Sequence, residues 1–168
     1  MSNHSEAFVA FDSSKLRNAV AIADCGRTGE IRFVGEIENS TTATAKLVRK
    51  LSGKYERLTF CYEAGPTGYE LYRQIQSLGH ECIVVAPSLI PKKPGDRVKT
   101  NRRDAVSLAK LLRAGELTAV WVPDRHHEAM RDLTRARDTA VDDLRSKRQQ
   151  QGWVDYSTDF LYGPARPR

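Results

Sequence analysis

The chain has 168 residues, of which 40% are hydrophobic and 29% charged. That is enough for one domain with an appendage and a real core without disulfides, and it excludes a disordered chain. Its 27 basic and 21 acidic side chains leave a net charge of +6. The longest uncharged apolar run, Cys82 to Pro91, falls far short of the about 18 residues a membrane helix needs. The N-terminus has neither the basic nor the long apolar region of a secretory signal, and three cysteines without metal-type spacing suit a reducing compartment. A cytoplasmic protein with no membrane partner is therefore expected.

In chain order, Ala7–Asp12 is a short apolar run ending in an acid and reads as a buried strand. Ala19–Asp24 is a second strand. A Gly-containing turn leads to a third at Ile31–Glu38, where Ile31, Phe33, Gly35 and Ile37 alternate with polar residues. Asn39 or Ser40 is placed to cap a helix over Thr42–Leu51. Leu58–Glu63 is the fourth strand. Pro66 suits the first turn of a helix running to Leu78, with Leu71, Tyr72, Ile75 and Leu78 inward and Gly79 as its stop. Cys82–Ala86 is the fifth strand. The proline- and lysine-rich segment that follows must be a loop. A third helix covers about Arg102–Ala114, Thr118–Trp121 is too short to classify, and an unbroken helical stretch runs from Asp124 to about Gln151. The order β-β-β-α-β-α-β-α describes a mixed α/β sheet covered on both faces. The expected divisions are a domain over 1–122, a long helix over 123–151 and an irregular tail over 152–168.

Charge is concentrated. Residues 92–115 hold eight basic and two acidic residues, equal to the whole excess. Lys92, Lys93, Arg97, Lys99, Arg102 and Arg103 are candidates to contact a polyanion, most simply the phosphates of a nucleic acid. Asp12 and Glu63 end the first and fourth strands. Asn101 and Asp104, three apart, share a helix face; taken alone they also suit a helix N-cap with its reciprocal acid. In the ribonuclease-H arrangement of this element order, strands one and four are neighbours and the later helix packs across their ends. The carboxylates then converge where divalent cations, magnesium above all, can act on a phosphodiester.

The segments Phe11–Lys15 (FDSSK), Cys61–Tyr69 (CYEAGPTGY), Val85–Pro91 (VAPSLIP) and Lys99–Ala105 (KTNRRDA) resemble the DEDD transposases of bacterial insertion sequences, a family that includes the pilin-gene inverting recombinases. The resemblance covers roughly residues 7–150. It implies a RuvC-like domain of ribonuclease-H fold, whose acids bind Mg2+ (or Mn2+) and act on DNA strands, with a structured guide RNA as a further partner. Carried over by position, Asp12 is the first acid, Glu63 the second and Asp104 the fourth, while Asn101 stands where the family usually has Asp. The family also continues past its long helix into a second domain with a nucleophilic serine. The chain thus reads as a truncated copy with impaired metal-dependent strand cleavage and transfer. The alternative is a non-catalytic nucleic-acid-binding remnant that dimerises or interferes with full-length transposase.

Two smaller features complete the reading. Met130, Leu133, Ala140 and Leu144 form an imperfect stripe on the long helix, interrupted by Arg137 and Lys147, which suggests a weak homodimer. Adjacent His126 and His127 point about 100° apart on a helix and read as surface residues.

Overall fold

A computed structural model describes residues 6–65, 68–91 and 100–162, with side chains as far as residue 151. It divides into two compact units, 1–122 and 123–168.

In the first unit, β1 (Glu6–Ser13), β2 (Arg17–Asp24) and β3 (Ile31–Glu38) form an antiparallel meander. Helix α1 (Thr41–Ser52) then leads to β4 (Arg57–Glu63), α2 (Glu70–Ser77), β5 (Glu81–Val85) and α3 (Asn101–Ala114). The five strands lie in the order β3-β2-β1-β4-β5, with β4 parallel to both β1 and β5. This is the ribonuclease-H arrangement expected from the element order. It is a mixed sheet because only the three hairpin-linked strands can pair antiparallel through short turns, whereas β4 and β5 each follow a helical crossover.

Alternation along the strands separates two apolar layers. Val9, Phe11, Phe60, Tyr62 and Val84 pack beneath Leu47, Val48 and Leu51 of α1 and Ile75 of α2. Ala10, Ala19, Ala21, Ala23 and Cys61 face Ala105, Leu108, Ala109 and Leu112 of α3. Because this second layer is mostly alanine, α3 can approach the strands closely.

Three local expectations are corrected. The alternation predicted one common face for Ile31, Phe33 and Ile37. A bulge shifts the β2–β3 register, so that Ala21 pairs with Phe33 and Val20 with Gly35. Ile31 and Phe33 therefore join the α3 layer while Ile37 joins the opposite one. Gly35 adopts φ +132°, a conformation that L side chains rarely reach. Second, the helix expected from Pro66 begins only at Glu70. Gly68 has a left-handed φ of +68°, its N–H donates to Gly65 O at 3.2 Å, and the Tyr62 hydroxyl donates to its carbonyl at 3.1 Å, which makes this a turn; Pro66 itself lies outside the described residues. Third, the last helix, α4 (Arg125–Tyr162), runs past Gln151 into the stretch expected to be irregular. The residues expected to be unclassifiable, Thr118–Trp121, contribute a bridge between Ala119 and Val85.

The layers bury two thiols. Cys61 and Cys82 are buried and Cys25 is exposed. Burial raises Cys82 from its ordinary 9.0 to about 12, and it also raises Cys61 and Tyr62. These groups are neutral in the fold, so their contribution is complete below their ordinary values and is lost as pH rises through the folded ones. Stability should decline from about pH 9 upward, read as a falling urea midpoint. In the native protein at pH 8, a thiol reagent should titrate Cys25 alone, with Cys61 and Cys82 reacting only after denaturation.

Candidate functional site

The parallel pairing of β1 with β4 sets Phe11 opposite Tyr62. Asp12 and Glu63, the next residue of each strand, are therefore neighbours at the carboxyl end of the sheet. Both are half-buried, and strand alternation puts them on the face of Ala10 and Cys61, the face that α3 covers.

Helix α3 is fixed at its other end. Arg113 in its last turn donates to the carbonyls of Asp24 (3.3 Å) and Gly29 (2.7 Å). Those carbonyls lie at the end of the sheet where β1 begins, since Asp24 pairs with Ala7. The helix thus runs back along β1 and β2 with its first turn directed to the end that carries Asp12 and Glu63. It stops at Gly115, φ +70°, whose N–H closes on Leu111 and Leu112 carbonyls.

The first turn of α3 decides how Asn101 and Asp104 are used. Thr100 is the N-cap: its hydroxyl accepts from the Arg103 N–H at 3.3 Å, and its carbonyl accepts from the Asp104 N–H at 3.0 Å. The reading of Asn101 and Asp104 as a cap with its reciprocal acid is therefore corrected. Asn101 is the first helical residue and exposed, while Asp104 is half-buried one turn on. Among the described residues, no group of three or more His, Cys, Asp or Glu side chains is gathered closely enough to hold a metal ion. The register brings Asp12 and Glu63 together at one end, with Asp104 on the helix above that end. Carboxylate oxygens are the right kind of donor for a hard divalent cation, and Asn101 offers only a neutral carbonyl.

Of the basic candidates, Arg102 and Arg103 lie exposed in the first turn of α3, and the Arg102 guanidinium stacks 5.4 Å from the Phe33 ring centre. Lys92, Lys93, Arg97 and Lys99 lie outside the described residues. His127 is exposed at the start of α4, where its N–H donates to the Asp124 carboxylate at 2.8 Å. That backbone hydrogen bond holds Asp124 below the usual carboxylate range.

One polar cluster escaped the sequence reading. Asp24 is 1% exposed, yet it receives two hydrogen bonds from Arg32, at 2.8 and 3.3 Å, and one from the Tyr55 hydroxyl at 2.8 Å. The guanidinium of Arg32 also donates to Tyr55. The sequence signals it only through an acid ending one hairpin strand and a base two residues into the next.

The model of the IS110-type DEDD transposase family, described as Transposase, matches residues 9–152. The chain belongs to this family. It is 65% identical over 150 residues to y4qE of Sinorhizobium fredii (strain NBRC 101917 / NGR234), a protein named as a transposase, with 89% of this chain and 38% of that one covered. It is 40% identical over 122 residues to the transposase for insertion sequence element IS1533 of Leptospira borgpetersenii, covering 72% of this chain and 35% of that one. The chain thus spans little more than a third of the length of these relatives. Among solved structures, it is similar to Thermus thermophilus RuvC (TM-score 0.46, 8% identity, 68% of this chain and 99% of that one). It is also similar to the large terminase nuclease of thermophilic phage G20c (TM-score 0.35, 15% identity, 64% and 53%). No described helix is long and apolar enough to cross a membrane.

Proposed function

We propose that this chain is the DNA-acting, RuvC-like portion of a transposase of the insertion-sequence DEDD family, working in the cytoplasm. The single observation that carries the reading is the adjacency of Asp12 and Glu63 at the carboxyl end of β1 and β4, within a segment that the family model spans almost entirely. Asp12, Glu63 and Asp104 would hold Mg2+ or Mn2+, with Asn101 as a weaker fourth donor. The ion would supply Lewis-acid activation of a phosphodiester. The chain's own residues would position the strand: Lys92, Lys93, Arg97, Lys99, Arg102 and Arg103 would hold its phosphates. Removing one formal charge at position 101 leaves the site poor in charge, so strand cleavage and transfer by this chain are expected to be weak or absent. That same deficit supports the alternative of a remnant that binds nucleic acid without cutting it. A structured guide RNA is a further partner by family resemblance.

The nucleic-acid reading is tested through salt. Removing one cation that neutralises a phosphate should lower the slope of log affinity against log salt by about 0.9 for duplex DNA. The variant Lys92→Ala/Lys93→Ala/Arg97→Ala should therefore lose close to three units of slope. An unchanged slope would remove these residues from the interface.

Weak self-association belongs to the same proposal. Met130 (68%), Leu133 (69%) and Leu144 (50%) are exposed along α4. Sedimentation at rising concentration should reveal a dimer. A strict monomer with the helix intact would refute the pairing.

A further inference from the structure

Some cations of the first unit are held in ion pairs and others are not. Arg17, Arg32, Arg57 and Arg73 each meet a carboxylate: Glu36, Asp24, Glu81 and Glu70 respectively. Lys46, Arg49 and Lys50 of α1 are exposed, and none of them enters an ion pair among the described residues. Helix α1 carries no acid in its first turn, and Arg49 and Lys50 stand in its last. On the helix surface, Lys46 lies one turn from Arg49 and Lys50, about 5.4 Å along the axis.

Two of these cations line a groove between α1 and α2. Its volume is about 610 Å³, and its described polar lining is Thr41, Thr42, Lys46, Arg49, Gln74 and Ser77, without a carboxylate. The Gln74 amide donates to Thr41 O at 2.6 Å and ties the two helices together. The start of α1 adjoins the end of the sheet that carries Asp12. Asn39, just before the α1 cap, receives a hydrogen bond from Asn18 and donates to Ser14 O in the β1–β2 hairpin. The groove then runs away along the sheet face opposite α3.

We propose that the α1–α2 groove is a second contact surface for duplex DNA, and that it holds the phosphate backbone of a duplex continuing past the carboxylate end. The inference rests on the proposed function and adds a surface that the charge count along the sequence hides, because the acids elsewhere in residues 1–60 nearly cancel these cations. In-line cations flanked by hydroxyl and amide groups fit a phosphodiester backbone.

The test compares two double variants of equal charge change by DNA-binding anisotropy across a salt series. Lys46→Gln/Arg49→Gln removes the groove cations; Arg17→Gln/Arg57→Gln removes two ion-paired ones. All four positions are exposed, and thermal melting by circular dichroism checks the fold. The groove variant should lose about 1.8 units of salt slope with duplex DNA, and the control variant almost none. Equal loss in both, no loss in the groove variant, or loss with duplex RNA but not duplex DNA would each overturn the proposal. A parent chain with no salt-dependent DNA binding would overturn the proposed function and this surface together. A parent that binds normally while the groove variant keeps its full slope overturns this surface alone.

Discussion

Arg32→Met should destabilise the first unit by about 3 kcal/mol, because removing one partner of a buried charged pair leaves the other uncompensated. Asp24 is 1% exposed and cannot recover water, and the Tyr55 hydroxyl that donates to it carries no charge. The arginine side chain is itself 37% exposed, which places the expected loss at the low end for buried pairs. For a domain of this size that corresponds to a fall in Tm of about 10 °C. Methionine keeps the aliphatic stem and separates charge from packing. The triple variant Arg32→Met/Asp24→Leu/Tyr55→Phe should recover most of the loss, since it leaves no buried charge behind. A loss under about 1 kcal/mol in the single variant would mean that Asp24 is effectively solvated and the cluster contributes little. The effect matters for the site as well. The Asp24 carbonyl anchors Arg113, and Arg113 holds the far end of the helix that carries Asp104.

Asp12→Ala should abolish measurable magnesium or manganese binding, and Asn101→Asp should tighten it. A hard cation is held chiefly by the formal charge and number of its oxygen ligands. Asp12 sits beside Glu63 through the β1–β4 register, so its loss removes half of the adjacent carboxylate pair. Asn101 occupies the first position of α3, with Thr100 already serving as cap, so an aspartate there costs the helix nothing in capping. It also meets the positive end of the helix dipole, which favours the new charge by about 0.5 kcal/mol. Calorimetric titration of the parent and both variants separates the possibilities. Equal binding by Asp12→Ala and parent would remove the carboxylate end as the metal site. Equal binding by Asn101→Asp and parent would remove position 101 from it.

The sheet was legible because each strand is a compact apolar run bounded by turn residues. The expected bounds of the third strand, Ile31–Glu38, coincide with those of β3. Asp12 and Glu63 could be singled out because an acid closing an apolar strand is a local pattern. What escaped depends on contacts between distant segments or on ambiguous local chemistry. The bulge opposite Val20 and Ala21 is set by pairing with β2, and nothing within β3 beyond Gly35 announces it. Thr100 and Asn101 are both good cap residues, so one position of uncertainty changed the meaning of Asn101. The continuation of α4 past Gly152 overrides a residue that costs about 1 kcal/mol in a helix, and the stretch beyond it shows no apolar period. Tyr55 reaches Asp24 across 31 positions of sequence.

The irregularity in β3 bears on how this sheet meets other molecules. β3 is an outermost strand, and a regular outer strand presents a row of open amides and carbonyls that another chain can extend. Here the register slips at Val34, Gly35 turns to φ +132°, and Arg32, Glu36 and Glu38 place charges along the border. A strand approaching from solvent would find its ladder interrupted midway and its side chains opposed by fixed charges. The bulge thus guards the border of the sheet against fibrous growth, a protection that matters most when many copies accumulate at once.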